Sequence, residues 1–166
     1  MEKRIVARKH ITYEGLLRVD ELYKIMDTWF MEHNYDKNEI SNVQQTTAKG
    51  KQVQLFIEPY KKVSDYVKHK IQVVATFIDI QDTTAEVEGV KQNYQKGKVD
   101  IMLTAFLETD YEGTMEDKPF YFFTRFFYDK FIYKRHSKEA EANLLAEFNL
   151  LYNELKAYLN IGRFLK

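Results

Sequence analysis

From Arg4 to Tyr13 apolar and polar side chains alternate, with Ile5, Ala7, Ile11 and Tyr13 set against Arg8, His10 and Thr12. A period of two belongs to a strand with one buried face, so a half-buried strand is predicted here, Lys9 being the break on its apolar side. Between Asp20 and Glu32 the period changes. Leu22, Met26, Trp29 and Phe30, flanked by Val19 and supported by Tyr23, recur at the spacing of one helical face, and Asp20 stands where an N-cap would. Residues 39–47 and 51–58 then read as the two arms of a hairpin around AKG, the second arm turning Val53, Leu55 and Ile57 inward until Pro59 ends it.

A long β-branched run follows from Asp65. Ile71, Val73, Ala75 and Phe77 alternate with Gln72, Val74, Thr76 and Ile78, and Asp79, which shares the parity of the apolar set, suggests a bulge that switches faces. After a turn near Gly89, Val99, Ile101, Leu103, Ala105 and Leu107 alternate with Asp100, Met102, Thr104, Phe106 and Glu108, the clearest strand pattern in the chain. Pro119 then suits the first turn of a helix, with Asp117 before it as a cap. Ser137 is the expected cap of a second helix, in which Leu144, Phe148, Leu151, Leu155, Tyr158, Gly162 and Leu165 recur in steps of four and three, with fraying expected at Gly162.

The predicted order is β-α-β-β-β-β-α-α: an α+β fold with an antiparallel meander of about five strands and helices packed on one face. The element order resembles that of helix-grip folds, in which a curved sheet wraps a long C-terminal helix and often leaves a lipophilic cavity, an analogy of fold that carries no function. With two prolines, few glycines and no repeat or low-complexity tract, residues 1–166 are expected to form a single α+β domain.

Composition removes several functions. Cysteine is absent, which excludes disulfides, thiolate metal sites and cysteine nucleophiles. Lys plus Arg equals Asp plus Glu at 25 each, so no net field draws the chain to polyanions. MEKRIVARKHITYEG has no apolar run of the signal-peptide kind, and no window approaches the ~20 apolar residues that cross a bilayer. A cytoplasmic protein with no transmembrane segment is the default expectation.

Five groups of residues are candidates for chemistry. Glu108, Asp110, Glu112 and Gly113 fall at positions one, three, five and six of a calcium loop, but position twelve is Pro119 and a strand precedes, so they remain weak metal candidates beside an ordinary acidic loop. His10, His33, His69 and His136 show no metal-binding spacing, and Ser41, Ser64 and Ser137 lie in no nucleophile motif. Asp79 and Asp100 sit in apolar strands, where burial would raise a carboxyl pKa, although alternation turns Asp100 outward. Tyr60, Lys61, Lys62, Tyr66, Lys68 and Lys70 combine rings and cations as a single-stranded RNA site would, a reading opposed by the zero net charge and by the use of lysines to protect sheet edges.

The stretch KPFYFFTRFFYDKFIYKRH places nine aromatic residues in the fifteen positions from Pro119 to Tyr133. As a helix it would rise only about 22 Å, short of the ~30 Å hydrocarbon core, with Arg125 and Asp129 near its middle. Burying one Phe contributes about 1.5–3 kcal/mol, so a core role leads, with a ligand cavity or a partner surface behind it. The functional expectation is a non-enzymatic binding domain that needs no cofactor and holds a hydrophobic small molecule between the sheet and the C-terminal helices, against Phe106, Phe123, Phe127 and Tyr152. The alternatives are a module that homodimerises through the heptad-like face of residues 144–165, and an RNA-binding domain.

Overall fold

Among the described residues the alternating segments form one antiparallel sheet of six strands, and with two helices the fold is α+β, consistent with the order read from the sequence but with one further short strand, Tyr60–Lys62. A computed structural model describes residues 2–109 and 134–162, without the side chains of residues 39, 40, 134–137, 161 and 162. Its elements are β1 (Glu2–Leu17), α1 (Val19–Glu32), β2 (Glu39–Thr47), β3 (Gly50–Ile57), β4 (Tyr60–Lys62), β5 (Val67–Val87), β6 (Val90–Thr109) and α2 (Lys134–Gly162). The aromatic segment Pro119–Tyr133, with Phe123 and Phe127, lies outside the described residues, as do Asp110 and Glu112.

Sheet order is β1-β6-β5-β3-β2, with the short β4 also pairing with β5. The first strand therefore closes against the last, and the two longest strands, β5 and β6, form the middle of the sheet. They meet at a two-residue turn in which Glu88 (φ 51°) and Gly89 (φ 78°) are both left-handed, the geometry that matches the twist of a hairpin. Straight, β5 would span about 70 Å at ~3.3 Å per residue. Its pairing slips between Ile78 and Gln81, where Asp79 takes φ 54°, so this aspartate occupies an irregularity of the ladder.

One sheet face carries the core. Ile71, Val73, Ala75 and Phe77 of β5 and Ile101, Leu103 and Ala105 of β6 are fully buried, together with Leu144, Phe148, Leu151 and Leu155 of α2. Leu22, Met26, Trp29 and Phe30 of α1 complete the layer. From Leu144 to Leu155 the heptad-like face of α2 expected to join two copies packs into the protein's own core, because an apolar helical stripe is covered first by the sheet beside it. Leu145 and Leu150 are on its exposed side.

Three local expectations are corrected. Ile5 is 51% exposed, because the β1–β6 register shifts between Ile5 and Ala7 and reverses the parity of the strand's first residues. Asp20 lies in the first turn of α1; the cap position is Arg18, with no side-chain cap bond. Ser137 lies inside α2, which is already helical at Lys134. Lys9, the break in the apolar face of β1, holds its Nζ 4.2 Å from the centre of the Tyr152 ring on α2, where the alkyl stem stays covered and the ammonium meets a π face.

Candidate functional site

At the end of the sheet where β5 begins, register assembles a half-buried ionic cluster around the buried His69. Lys61 of β4 and Leu107 of β6 both stand directly opposite His69 of β5, so Lys61 and His69 share the core-side face. From α2, Glu147 reaches this point: its Oε1 accepts a hydrogen bond from Lys61 Nζ, and its Oε2 accepts one from the Tyr35 hydroxyl at 2.7 Å. Tyr35 is aimed there by the end of α1, where Asn34 adopts φ 59° and the Tyr35 N–H bonds back to the Phe30 carbonyl. Lys61 Nζ also donates to the His33 carbonyl at 3.2 Å, and the His33 ring stacks on Trp29 at 3.9 Å.

His69 is 2% exposed, and its Nδ1 is 4.0 Å from Glu147 Oε2, beyond a hydrogen bond. Burial pushes its pKa down to about 4; the Glu147 carboxylate opposes this and the Lys61 ammonium reinforces it. The imidazole is therefore neutral near pH 7. Burial, followed by the hydrogen bond to Glu147 and its negative charge, raises the Tyr35 pKa. The cluster is a braced, charge-compensated joint between α1, β4, β5 and α2. It contains Tyr35 and Glu147, which no spacing rule ties to His69.

A second cluster occupies the opposite sheet face. Glu108 stands between Lys3 of β1 and Lys68 of β5, its direct partners on either side, and is 2% exposed. Its carboxylate lies 3.0 Å from Lys68 Nζ and 2.8 Å from Lys70 Nζ, and Lys70 also approaches Glu58 at 3.7 Å. Burial works against the charge, but the bonds from Lys70 and Lys68 outweigh it and hold the carboxyl below the usual range.

Gathered or separated by these contacts, the candidate residues fall as follows. Of the RNA-binding set, Lys61 points to Glu147 on the core side while Lys68 and Lys70 meet Glu108 on the other, with Lys68 Nζ 5.4 Å from the Tyr60 ring centre. Lys62 is exposed and Tyr66 is half-buried. Phe106 is on the face away from the described helices, beneath Lys3 Nζ at 4.0 Å, whereas Tyr152 borders a pocket of about 200 Å³ between β1 and α2 with His10 and Tyr13. Phe106 and Tyr152 are therefore not brought together. Asp100 is turned outward and bonds His10 Nε2 at 2.8 Å. Among the described residues, no group of three His, Asp or Glu side chains is placed to hold a metal ion.

An open cleft of about 930 Å³ lies at the other end of the β5–β6 hairpin. One wall is the β1–α1 junction, Arg18 to Asp20. The far wall is formed by Thr83 and Thr84 of β5 with Asn93, Tyr94 and Gln95 of β6, and Gln44 and Lys51 enter from the β2–β3 side. Val53, Ile80 and Tyr23 supply its apolar contacts, the Tyr23 ring stacked on the core residue Phe77 with centroids 5.9 Å apart.

The walls are tied together by their own side chains. The Val19 N–H donates to Gln95 Oε1 at 3.0 Å, while Gln95 Nε2 donates to Asp82 Oδ1 at 3.2 Å. From α2 the Tyr158 hydroxyl accepts the Arg18 N–H at 3.2 Å and donates to the Arg18 carbonyl at 3.1 Å. The hairpin residues of the cleft did not stand out in the sequence, where DTT and NYQ are unremarkable polar triplets until the hairpin sets Thr83 opposite Tyr94 and Thr84 opposite Asn93. No helix among the described residues is long and apolar enough to cross a membrane. Compared with protein-family models and with curated proteins, the sequence matches none.

Proposed function

We propose that the protein is a small-molecule binding module whose ligand occupies the cleft between the β1–α1 junction and the β5–β6 hairpin. The observation that carries this reading is the cleft itself. Its volume, about 930 Å³, falls within the roughly 300–1,000 Å³ of small-molecule sites, and its walls are held in place by the Gln95 and Tyr158 bonds in the structure as it stands.

Between the sheet and α2 a hydrophobic ligand would have to displace Leu144, Phe148, Leu151 and Leu155, all fully buried, while Phe123 and Phe127 of the cavity expected from the sequence lie outside the described residues. The cleft asks for no such displacement. The RNA-binding alternative loses support because Lys61, Lys68 and Lys70 already face Glu147 and Glu108.

The test is a two-dimensional 15N NMR screen against a chemically diverse set of small molecules. Saturable shifts clustered at Gln44, Thr83, Thr84, Asn93 and Tyr94 are the expected result. Binding confined to the Tyr152 pocket, or no binding by any compound, would overturn the assignment.

A further inference from the structure

Resting on that reading, we infer that the ligand is a neutral, polyhydroxylated molecule of mono- to disaccharide size. Charge makes the first cut. The lining holds two cations, Arg18 and Lys51, and two carboxylates, Asp20 and Asp82, so the cleft offers no net field to an ionic ligand. Arg18 is moreover engaged at its own wall: its guanidinium lies 2.7 Å from Glu21 and 3.4 Å from Asp20. A phosphate would find Lys51 facing two carboxylates. A metal cation would find a wall already carrying Arg18 and Lys51.

Hydrogen-bond chemistry makes the second cut. Beyond the charged pairs, the lining is hydroxyl and carboxamide: Thr83, Thr84, Asn93, Gln44 and the Tyr94 phenol. Each of these groups donates and accepts. That dual character matches ligand hydroxyls, which also do both, and it is wasted on a fatty acyl chain or a sterol. Polar groups of the lining that an apolar ligand strips of water and leaves unpaired would cost affinity.

The third cut is shape. Val53 and Ile80 provide a small apolar floor, and Tyr94 and Tyr23, the latter stacked on Phe77, add aromatic surface to the lining, the kind of surface against which the C–H side of a pyranose packs. The cleft is open to solvent on one side, which suits a ligand that keeps part of its hydration. Gln95 is a positioning residue here: its amide bridges Val19 and Asp82 and so sets the distance between the two walls.

The experiment titrates the intact protein, by the same NMR readout, with D-glucose, D-galactose, N-acetyl-D-glucosamine and maltose, alongside adenosine monophosphate and decanoate. At least one sugar should shift Thr83, Thr84, Asn93 and Gln44 saturably. Tyr94→Ala should weaken that binding by about tenfold, equivalent to ~1.4 kcal/mol, and Tyr94→Phe should restore most of it. Gln44→Ala, a change on an exposed position of the edge strand, provides a second variant if Tyr94→Ala does not fold, and should also weaken binding. If decanoate or the nucleotide saturates the cleft and no sugar does, the saccharide inference fails while the binding-module reading stands. If no probe in this experiment or the wider screen shifts the cleft, both fail.

Discussion

Replacing His69 by Leu should remove most of the acid sensitivity of this fold between pH 6.5 and 4. In the folded chain the imidazole pKa is pushed down to about 4 by burial, partly opposed by Glu147 and reinforced by Lys61, whereas an unfolded histidine titrates at 6.5. Between these values the unfolded chain takes up a proton that the folded chain refuses. The contribution of a neutral His69 is therefore complete above pH 6.5, declines as pH falls, and is lost by about pH 4. That interval, at ~1.36 kcal/mol per pH unit, caps the loss at about 3 kcal/mol. Urea unfolding followed by the fluorescence of Trp29, the sole tryptophan and 2% exposed, reads the free energy at each pH. The quantity to compare is the change with pH, since His69→Leu also alters packing at every pH. Carboxylates distant from His69 are common to both proteins and cancel in the difference, whereas Glu147, 4.0 Å away, is coupled to it. Parallel loss of stability by the wild type and the variant would refute the argument.

Two further perturbations test the sheet itself. Glu108→Gln removes the charge shared by Lys68 and Lys70, and should cost about 2–3 kcal/mol in denaturant unfolding, less than the ~3–5 of a fully buried pair because both lysines keep some hydration. Because the folded carboxyl titrates below the unfolded value of 4.5, this stabilisation is full above pH 4.5 and drains away as pH falls through the lower folded value; the variant should lack that part of the acid transition. Asp79 has φ 54°, so Asp79→Gly should change stability by less than about 1 kcal/mol, while Asp79→Val should cost about 1–2 kcal/mol. Equal stability of the two variants would contradict a left-handed residue at that point.

What was legible in the sequence is what depends on a residue's near neighbours. Alternation identifies the buried face of β6 from Val99 to Leu107, and helical spacing identifies Leu22, Met26, Trp29 and Phe30, because each pattern repeats within one element. Ile5 was misread because a one-residue bulge changes parity without any mark in composition. The ionic clusters were invisible for a different reason. Glu108 is neutralised by Lys3 and Lys68 across two strand pairings, and His69 meets Glu147 from a helix 78 positions away in the chain, so both depend on register and docking. The cleft, likewise, exists only where the β1–α1 junction meets the hairpin.

That meeting also has a place in time. The β5–β6 hairpin can zip from Glu88–Gly89 by closing one short loop, an event of about 1–10 μs, whereas β1 must find β6 over a long separation, from Leu17 with Gln95 to Glu2 with Thr109. Long-range closure of that kind pays its entropy before contacts repay it, so β1 is expected to dock after the hairpin is built. One wall of the cleft thus belongs to an early unit and the other to a late one. A bound ligand would act as a clasp on the latest contact: it should slow the departure of β1 and leave the speed of hairpin formation unchanged.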